Sequence, residues 1–164
     1  PIGVGSALDN FQYVAGCMNN PAERINFMLA EEEEFVTGDY VANVQVDGMD
    51  RHWRRRIAEW FFQLARNHNF SRETALLAIS TLDRYMATAS VTFHEYHLAC
   101  LSCLHIAIKY CERVQPKMRH ILALANGKFT KKHMRKMEQK VLQSLGLRIN
   151  YPTPSSFARA MLTY

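Results

Sequence analysis

The residues best suited to chemistry stand at three-residue intervals in one segment: His94, His97, Cys100 and Cys103. Imidazole nitrogens and thiolates are ligands that zinc prefers. On a helix, however, steps of three residues drift by about 60° each, so His94 and Cys103 point to opposite faces and four ligands cannot converge. Cys100 and Cys103 also match the C-x-x-C pattern, but redox dithiols stand at exposed helix starts, whereas this pair stands among leucines. We therefore expect core packing, with no metal site.

The rest of the sequence offers no stronger catalytic pattern. It contains no Gly-rich phosphate loop, no nucleophile elbow and no carboxylate pair in a cleft-like context. We expect neither an enzyme nor a bound cofactor. Two basic clusters, "RHWRRR" (Arg51–Arg56) and "KFTKKHMRK" (Lys128–Lys136), could follow the phosphates of a nucleic acid, but a solvated helix face is the favoured interpretation.

The bulk composition is that of a globular protein, with 164 residues, 48% hydrophobic and 21% charged. The sequence has no run of about 18 uncharged apolar residues and no signal-peptide pattern at its start, which predicts a soluble protein that is not secreted and has no membrane partner. Four cysteines without a loop framework fit a reducing compartment. The net charge of +5 permits acidic partners.

Helical periodicity dominates from residue 21 onward and predicts an all-α protein. Thr92 and Glu95 have the spacing of a capping box, and Gly146 is a typical helix stop. The segment 37–48 looks less regular. The predicted helices cover about 21–35, 50–68, 71–86, 92–112, a short stretch near 121–124, 130–145, and a stretch that starts after Thr153.

The helix over 92–112 differs from the others because no formal charge occurs between Glu95 and Lys109. Its apolar residues point in every direction around the helix axis. A helix that is apolar all round is surrounded by other helices. We therefore expect a small bundle in which this helix is the central member.

Four charged residues lie within otherwise apolar helical stripes: Arg54, Asp83, Lys109 and Glu138. Charged side chains are almost never fully buried unless they are paired. For Arg54 and Asp83 we expect a structural ion pair between adjacent helices. Lys109 and Glu138 could form either a buried pair or a pair at the rim of an exposed apolar patch.

Four motifs in this order resemble the cyclin box, over about residues 50–157. Residues 21–40 are similar to the extra N-terminal helix of cell-cycle cyclins. The resemblance implies a five-helix box (50–150) around a central apolar helix, preceded by a flexible segment (1–20) and an N-terminal helix with its linker (21–49). It is followed by the start of a further helix (151–164), such as would open a second cyclin fold. The motifs are "WRRRIAEW" (Trp53–Trp60), "ETALLAISTLDRYMA" (Glu73–Ala87), "IAIKYCE" (Ile106–Glu112) and "FTKKHMRKMEQKVLQSLGLRINYPTP" (Phe129–Pro154).

The same resemblance implies a function in cell-cycle control. It implies a regulatory subunit, nuclear and cytoplasmic, that binds a cyclin-dependent kinase as a heterodimer and activates it by fixing its regulatory helix and activation loop. Lys109 and Glu138 match the pair that engages the backbone at the end of that helix. The other positions expected at the kinase are Tyr110, Leu142, Ile149, Ile25 and Met28. The alternative is a cyclin-fold scaffold in transcription that binds nucleic acid or transcription factors.

A second surface is implied on the first helix of the box, where related cyclins dock basic-apolar peptides of substrates and inhibitors. Here Arg56 places a cation where the family has an apolar residue, and Gln63 is neutral where the family has a glutamate. Phe93 replaces a basic residue that some cyclins use for a substrate phosphate. We therefore expect weakened docking. The matching positions are Trp53, Arg56, Ile57, Trp60, Gln63, Tyr96 and His97.

Overall fold

The computed structural model describes residues 20–45, 51–149 and 152–162. These residues form helices and no strand, so the predicted all-α class is confirmed. No helix in the described ranges combines the length and the apolar character that crossing a membrane requires. The helices are α1 (Pro21–Phe35), α2 (Tyr40–Asn43), α3 (Arg51–Asn67), α4 (Arg72–Met86), α5 (Phe93–Cys111), α6 (Met118–Ala123), α7 (Lys131–Ser144) and α8 (Pro154–Leu162).

The chain divides into two compact units. We call Thr37–Leu147 the box unit and the combination of Pro1–Val36 with Arg148–Tyr164 the terminal unit. The box unit contains α2 to α7, and the terminal unit contains α1 and α8. The expected flexible segment (1–20) lies outside the described residues, except for Asn20.

The centre of the box unit is α5, as its uniformly apolar sequence predicts. Every residue from Ala99 to Ile108 is buried. α5 packs against α4, α6 and α7, while α3 packs against α4. An apolar surface on all sides requires neighbours on all sides, because about 25 cal/mol is gained for each Å² removed from water.

The start of α5 is fixed by the predicted capping box. The hydroxyl of Thr92 accepts a hydrogen bond from the backbone N–H of Glu95 at 3.3 Å, and Oε2 of Glu95 accepts one from the backbone N–H of Thr92. The other oxygen of Glu95, Oε1, lies 3.5 Å from Nζ of Lys140 on α7. One carboxylate therefore both caps α5 and contacts α7.

The other helix ends of the box unit also use local side chains. Ser71 caps α4 by accepting from the backbone N–H of Thr74 at 3.2 Å. Thr130 caps α7 in a capping box with His133 in the position usual for glutamate. Gly146 follows α7 with a φ of +58°, the left-handed backbone that glycine adopts without strain. Residue 50, where the sequence predicts α3 to begin, lies outside the described residues.

Residues 37–45, the described part of the segment 37–48, form a more ordered connection than the sequence predicts. Residues 46–48 lie outside the described ranges. The described part contains α2, whose Tyr40 is 8% exposed, and the buried Gln45. The Gln45 amide nitrogen donates to the carbonyls of Met86 and Ala89, and its oxygen accepts from the N–H of Val91. A four-residue helix is too short to show a hydrophobic period, so contacts distant in sequence hold this segment.

The terminal unit consists of α1 and α8 in contact with each other. The Asn20 side chain caps α1 by accepting from the N–H of Ala22 at 2.9 Å. Arg148 approaches Glu34 at 2.6 Å and Glu31 at 3.5 Å, and its guanidinium lies 5.1 Å from the centre of the Phe35 ring. The acidic run of α1 is therefore partly paired and not wholly solvated.

Candidate functional site

Lys109 and Glu138, two of the four charges that stood in apolar stripes, meet between α5 and α7. Nζ of Lys109 lies 3.0 Å from Oε1 of Glu138. The lysine side chain is 40% exposed, whereas the glutamate side chain is only 10% exposed. The pair spans the boundary between core and solvent, with the carboxylate inside and the ammonium outside.

His105 is a third member of this site that the sequence analysis missed. Its Nδ1 also contacts Oε1 of Glu138, from a side chain that is 8% exposed. His105 precedes Lys109 by one helical turn, so both side chains lie on the same face of α5. That spacing was visible in the sequence, but a histidine in an apolar stripe does not stand out as a formal charge does.

The electrostatics of the site keep the Glu138 carboxyl group ionised. Burial raises the pKa of Glu138, but hydrogen bonds and attraction from His105 and Lys109 outweigh that effect, and the net result is a lowered pKa. Among the described residues both contacts use Oε1, and Oε2 keeps its capacity to accept hydrogen bonds. The site can therefore accept through a fixed carboxylate and donate through a neighbouring ammonium group.

The other residues expected at the kinase divide into two groups. Tyr110 on α5 and Leu142 on α7 are half-buried in the box unit, on the two helices that carry the pair. Ile25, Met28 and Ile149 belong to the terminal unit. Ile25 is half-buried, but Met28 and Ile149 are 2% and 6% exposed and offer almost no area to a partner. Their place at the kinase stays a prediction.

Arg54 and Asp83 meet in a two-pronged ion pair between α3 and α4. Nε and one terminal nitrogen of Arg54 donate to the two oxygens of Asp83 at 2.9 and 2.7 Å. Tyr40, which the sequence analysis did not single out, donates to Oδ1 of Asp83 at 2.6 Å. The hydrogen bond to Asp83 raises the pKa of Arg54, and burial raises that of Tyr40, so the cation and the neutral phenol are both retained.

The expected peptide groove contains an aromatic cluster. The rings of Trp53 and Phe93 meet edge to face at 4.9 Å, and His97 lies 5.8 Å from Phe93. The guanidinium of Arg56 lies 5.9 Å from the centre of the Trp53 ring. Burial, with Lys128 and His94 nearby, lowers the pKa of His97, so the imidazole is neutral at neutral pH. Phe93 thus contacts two positions that were expected in the groove, Trp53 and His97.

The remaining groove positions differ in how far their side chains are exposed. Ile57 and Trp60 are half-buried, and Gln63 is exposed. Trp60 contacts Phe61 at a ring distance of 5.5 Å. Tyr96 is only 4% exposed, so its side chain offers a docked peptide little surface, and its place in the groove stays a prediction.

The cysteines considered for chemistry lie inside α5. Cys100 and Cys103 are both 0% exposed, and burial raises the pKa of each thiol. A buried, protonated thiol is a poor nucleophile and a poor metal ligand. Within the described ranges, no group of three His, Cys, Asp or Glu side chains is arranged to hold a metal ion.

Comparison with known protein families matches residues 23–150 to the N-terminal domain of cyclins. This match covers most of the chain. The chain belongs to the cyclin family. The resemblance drawn from the four motifs is therefore confirmed, and the bundle around α5 is a cyclin fold.

Individual cyclins similar to this chain come from fungi, plants and animals. S-phase entry cyclin-6 of Saccharomyces cerevisiae is 34% identical over 106 residues, which cover 65% of this chain and 28% of that protein. Cyclin-A1-4 of Oryza sativa subsp. japonica is 27% identical over 134 residues, 82% of this chain and 37% of the relative. G2/mitotic-specific cyclin-B2 of Oryzias javanicus is 27% identical over 129 residues, 79% and 33% respectively. The matched region of this cyclin thus spans about a third of each relative.

Proposed function

We propose that this cyclin binds a cyclin-dependent kinase as a regulatory subunit and activates it without chemistry of its own. The observation that carries the proposal is the contact of Lys109 with Glu138 at the boundary of the core. Tyr110 and Leu142 supply apolar area on the same two helices. Apolar area provides binding free energy, and a charged pair beside it fixes the register of the partner.

The pair suits the end of a helix in the kinase. A helix end has backbone N–H or C=O groups without partners inside the helix. Lys109 can donate to such carbonyls, and Oε2 of Glu138 can accept from such N–H groups. Holding the regulatory helix in its active position lets the kinase form its own lysine–glutamate pair and order its activation loop, which shifts the kinase toward its active population.

The direct test is the double variant Lys109→Ala with Glu138→Ala. We expect the affinity for a purified cyclin-dependent kinase to fall by about 2–5 kcal/mol, because two charged contacts are lost at the interface. Lys136→Ala on the exposed face of α7 is the matched control. If the double variant folds and binds the kinase as the control does, the proposal is wrong.

The peptide groove remains a second proposed surface of this cyclin. Arg56 lies on the Trp53 ring and Gln63 is exposed and uncharged, so the groove has a cation where the family has an apolar residue, and no carboxylate where a basic peptide would need one. We propose that substrates or inhibitors with basic-apolar motifs dock here weakly.

We also propose an intracellular location, nuclear and cytoplasmic, because Cys100, Cys103 and Cys111 are free thiols, as a reducing compartment requires.

One observation favours the alternative, a transcriptional scaffold that binds nucleic acid. Lys131, Lys132, Arg135 and Lys136 are exposed on α7, and among the described residues none of them has an ion-pair partner. Counterion release makes binding to nucleic acid fall steeply with salt. Salt-sensitive binding of this cyclin to duplex DNA in the absence of kinase would support the scaffold, whereas no binding at low salt would exclude that function.

A further inference from the structure

We infer that His105 is a positioning residue for kinase binding, which holds the Glu138 carboxylate from inside the core. The inference rests on the proposed function of the Lys109–Glu138 pair. His105 itself is directed at the carboxylate, because its Nδ1 contacts Oε1 of Glu138 from a buried side chain. Its effect on binding passes through Oε1 of Glu138.

Two buried side chains and one exposed side chain meet at this site. Glu138 contacts the buried His105 on one side and, on the other, Lys109 with 40% of its side chain exposed. The lysine has four rotatable bonds and a solvated end, so it restrains the carboxylate only loosely. The imidazole has two rotatable bonds and is enclosed by the core, so it gives the carboxylate a fixed reference point.

The direction of the hydrogen bond follows from the acceptor. An ionised carboxylate can only accept hydrogen bonds. Nδ1 of His105 therefore carries the proton and donates a hydrogen bond to Oε1 of Glu138. With Oε1 held by His105 and Lys109, the plane of the carboxylate is set and Oε2 has one orientation toward a partner. Preorganisation of this kind increases affinity, because the entropy of ordering the side chain is not lost again on binding.

Replacing His105 should therefore weaken kinase binding even where the fold survives. His105→Leu keeps an apolar volume in the core but removes the donor, so Oε1 retains only the mobile lysine. We expect the dissociation constant to rise about tenfold, the effect of one lost charge-assisted hydrogen bond. His105→Gln keeps a side-chain N–H that can reach Oε1, and we expect it to recover most of the affinity.

Ser102→Ala is the matched control for a change at the same helix contact. Ser102 lies on α5, is fully buried and donates to Sδ of Met134 on α7 at 3.4 Å. Its loss disturbs the packing of α5 on α7 without touching the carboxylate. We expect this variant to bind the kinase within about twofold of the unaltered chain.

For each variant the experiment measures kinase affinity by calorimetry and stability by urea unfolding. In the variants that keep His105, NMR also measures its ring N–H. Support requires weak binding by His105→Leu, recovery by His105→Gln, and no added effect of His105→Leu in a Glu138→Ala background. Equal binding by His105→Leu and Ser102→Ala would overturn the inference while leaving the proposed function intact. Unchanged binding by Glu138→Ala would overturn the proposed function, and the NMR signal would still report separately whether His105 donates to Glu138.

Discussion

The hydroxyl of Tyr40 donates a 2.6 Å hydrogen bond to Oδ1 of Asp83, which ties the four-residue helix α2 to α4. Asp83 also accepts two hydrogen bonds from Arg54 on α3. Three helices, α2, α3 and α4, therefore meet at one carboxylate. A buried carboxylate is costly unless its oxygens are satisfied. This cluster is a structural feature of the box unit that is separate from the Lys109–Glu138 pair, and the two can be perturbed independently.

Removing the Tyr40 hydroxyl should lower stability without affecting kinase binding. Tyr40→Phe leaves Oδ1 of Asp83 with Arg54 alone, and we expect the free energy of unfolding to fall by about 1–3 kcal/mol. Urea denaturation measures the change. An Asp83→Asn background provides the control, because the effect of Tyr40→Phe should shrink when the carboxylate is absent, and an equal loss in both backgrounds would contradict the contact.

Removing the Arg54 side-chain charge should destabilise the chain more than removing the side-chain charge of Arg55. Arg54→Met leaves Asp83, whose side chain is 11% exposed, without its ion pair, and we expect a loss of about 1–3 kcal/mol because half of the Arg54 side chain is itself exposed. Arg55→Met is the control. Arg55 pairs with Glu59 on the surface, with 79% and 60% of the two side chains exposed, and should contribute less than about 0.5 kcal/mol. Equal losses in the two variants would refute the assignment.

Stability should depend on pH through Glu138. Its pKa in the folded chain lies below the ordinary value of 4.5. A carboxyl group with a lower pKa in the folded than in the unfolded chain stabilises the fold above its unfolded pKa, and this contribution is lost as the pH falls through its folded pKa.

The stability difference between the unaltered chain and Glu138→Gln should therefore be full above about pH 4.5 and shrink below it. Urea unfolding across this pH range measures the difference. Glu33→Gln, an exposed residue of α1, is the control and should show almost no difference at any pH. A stability difference for Glu138→Gln that grows on acidification would show that folding raises the pKa of Glu138 and does not lower it.

The peptide groove should respond to the two positions that depart from the family pattern. Arg56→Ile with Gln63→Glu removes a like charge and supplies a carboxylate, so affinity for a basic-apolar peptide should rise by about 1–3 kcal/mol. Fluorescence anisotropy with a labelled peptide measures the gain. Arg55→Ile removes one exposed charge next to Arg56 and serves as the control. Tight peptide binding by the unaltered chain would argue against the weakened groove.

The sequence was sufficient for the features that depend on periodicity and formal charge. Helix α5 was predictable because it is apolar on every side, and Lys109 and Glu138 were predictable because charges interrupt apolar stripes. Tyr40 was not, since α2 is too short to show a period. His105 was not, because a buried histidine resembles ordinary core packing until the carboxylate beside it is seen.

The burial of individual side chains was the other property that the spacing of residues in the sequence could not predict. Tyr96 shares the helix start with exposed Phe93, yet it is 4% exposed while Phe93 is 57% exposed. Met28 likewise lies on a helix with an acidic, partly exposed face but is itself in a core. Burial depends on which neighbour covers each face, and that is decided by tertiary packing.

The carboxylate of Glu95 has a consequence for the relative register of two helices. One of its oxygens closes the first turn of α5, and the other meets Lys140 on α7. A slip of α5 by one residue along α7 would turn its side chains by about 100° relative to that neighbour. Lys109 and His105 would then face away from Glu138. The residue that caps α5 at one end thus helps to set the alignment that brings Lys109, His105 and Glu138 together at the other.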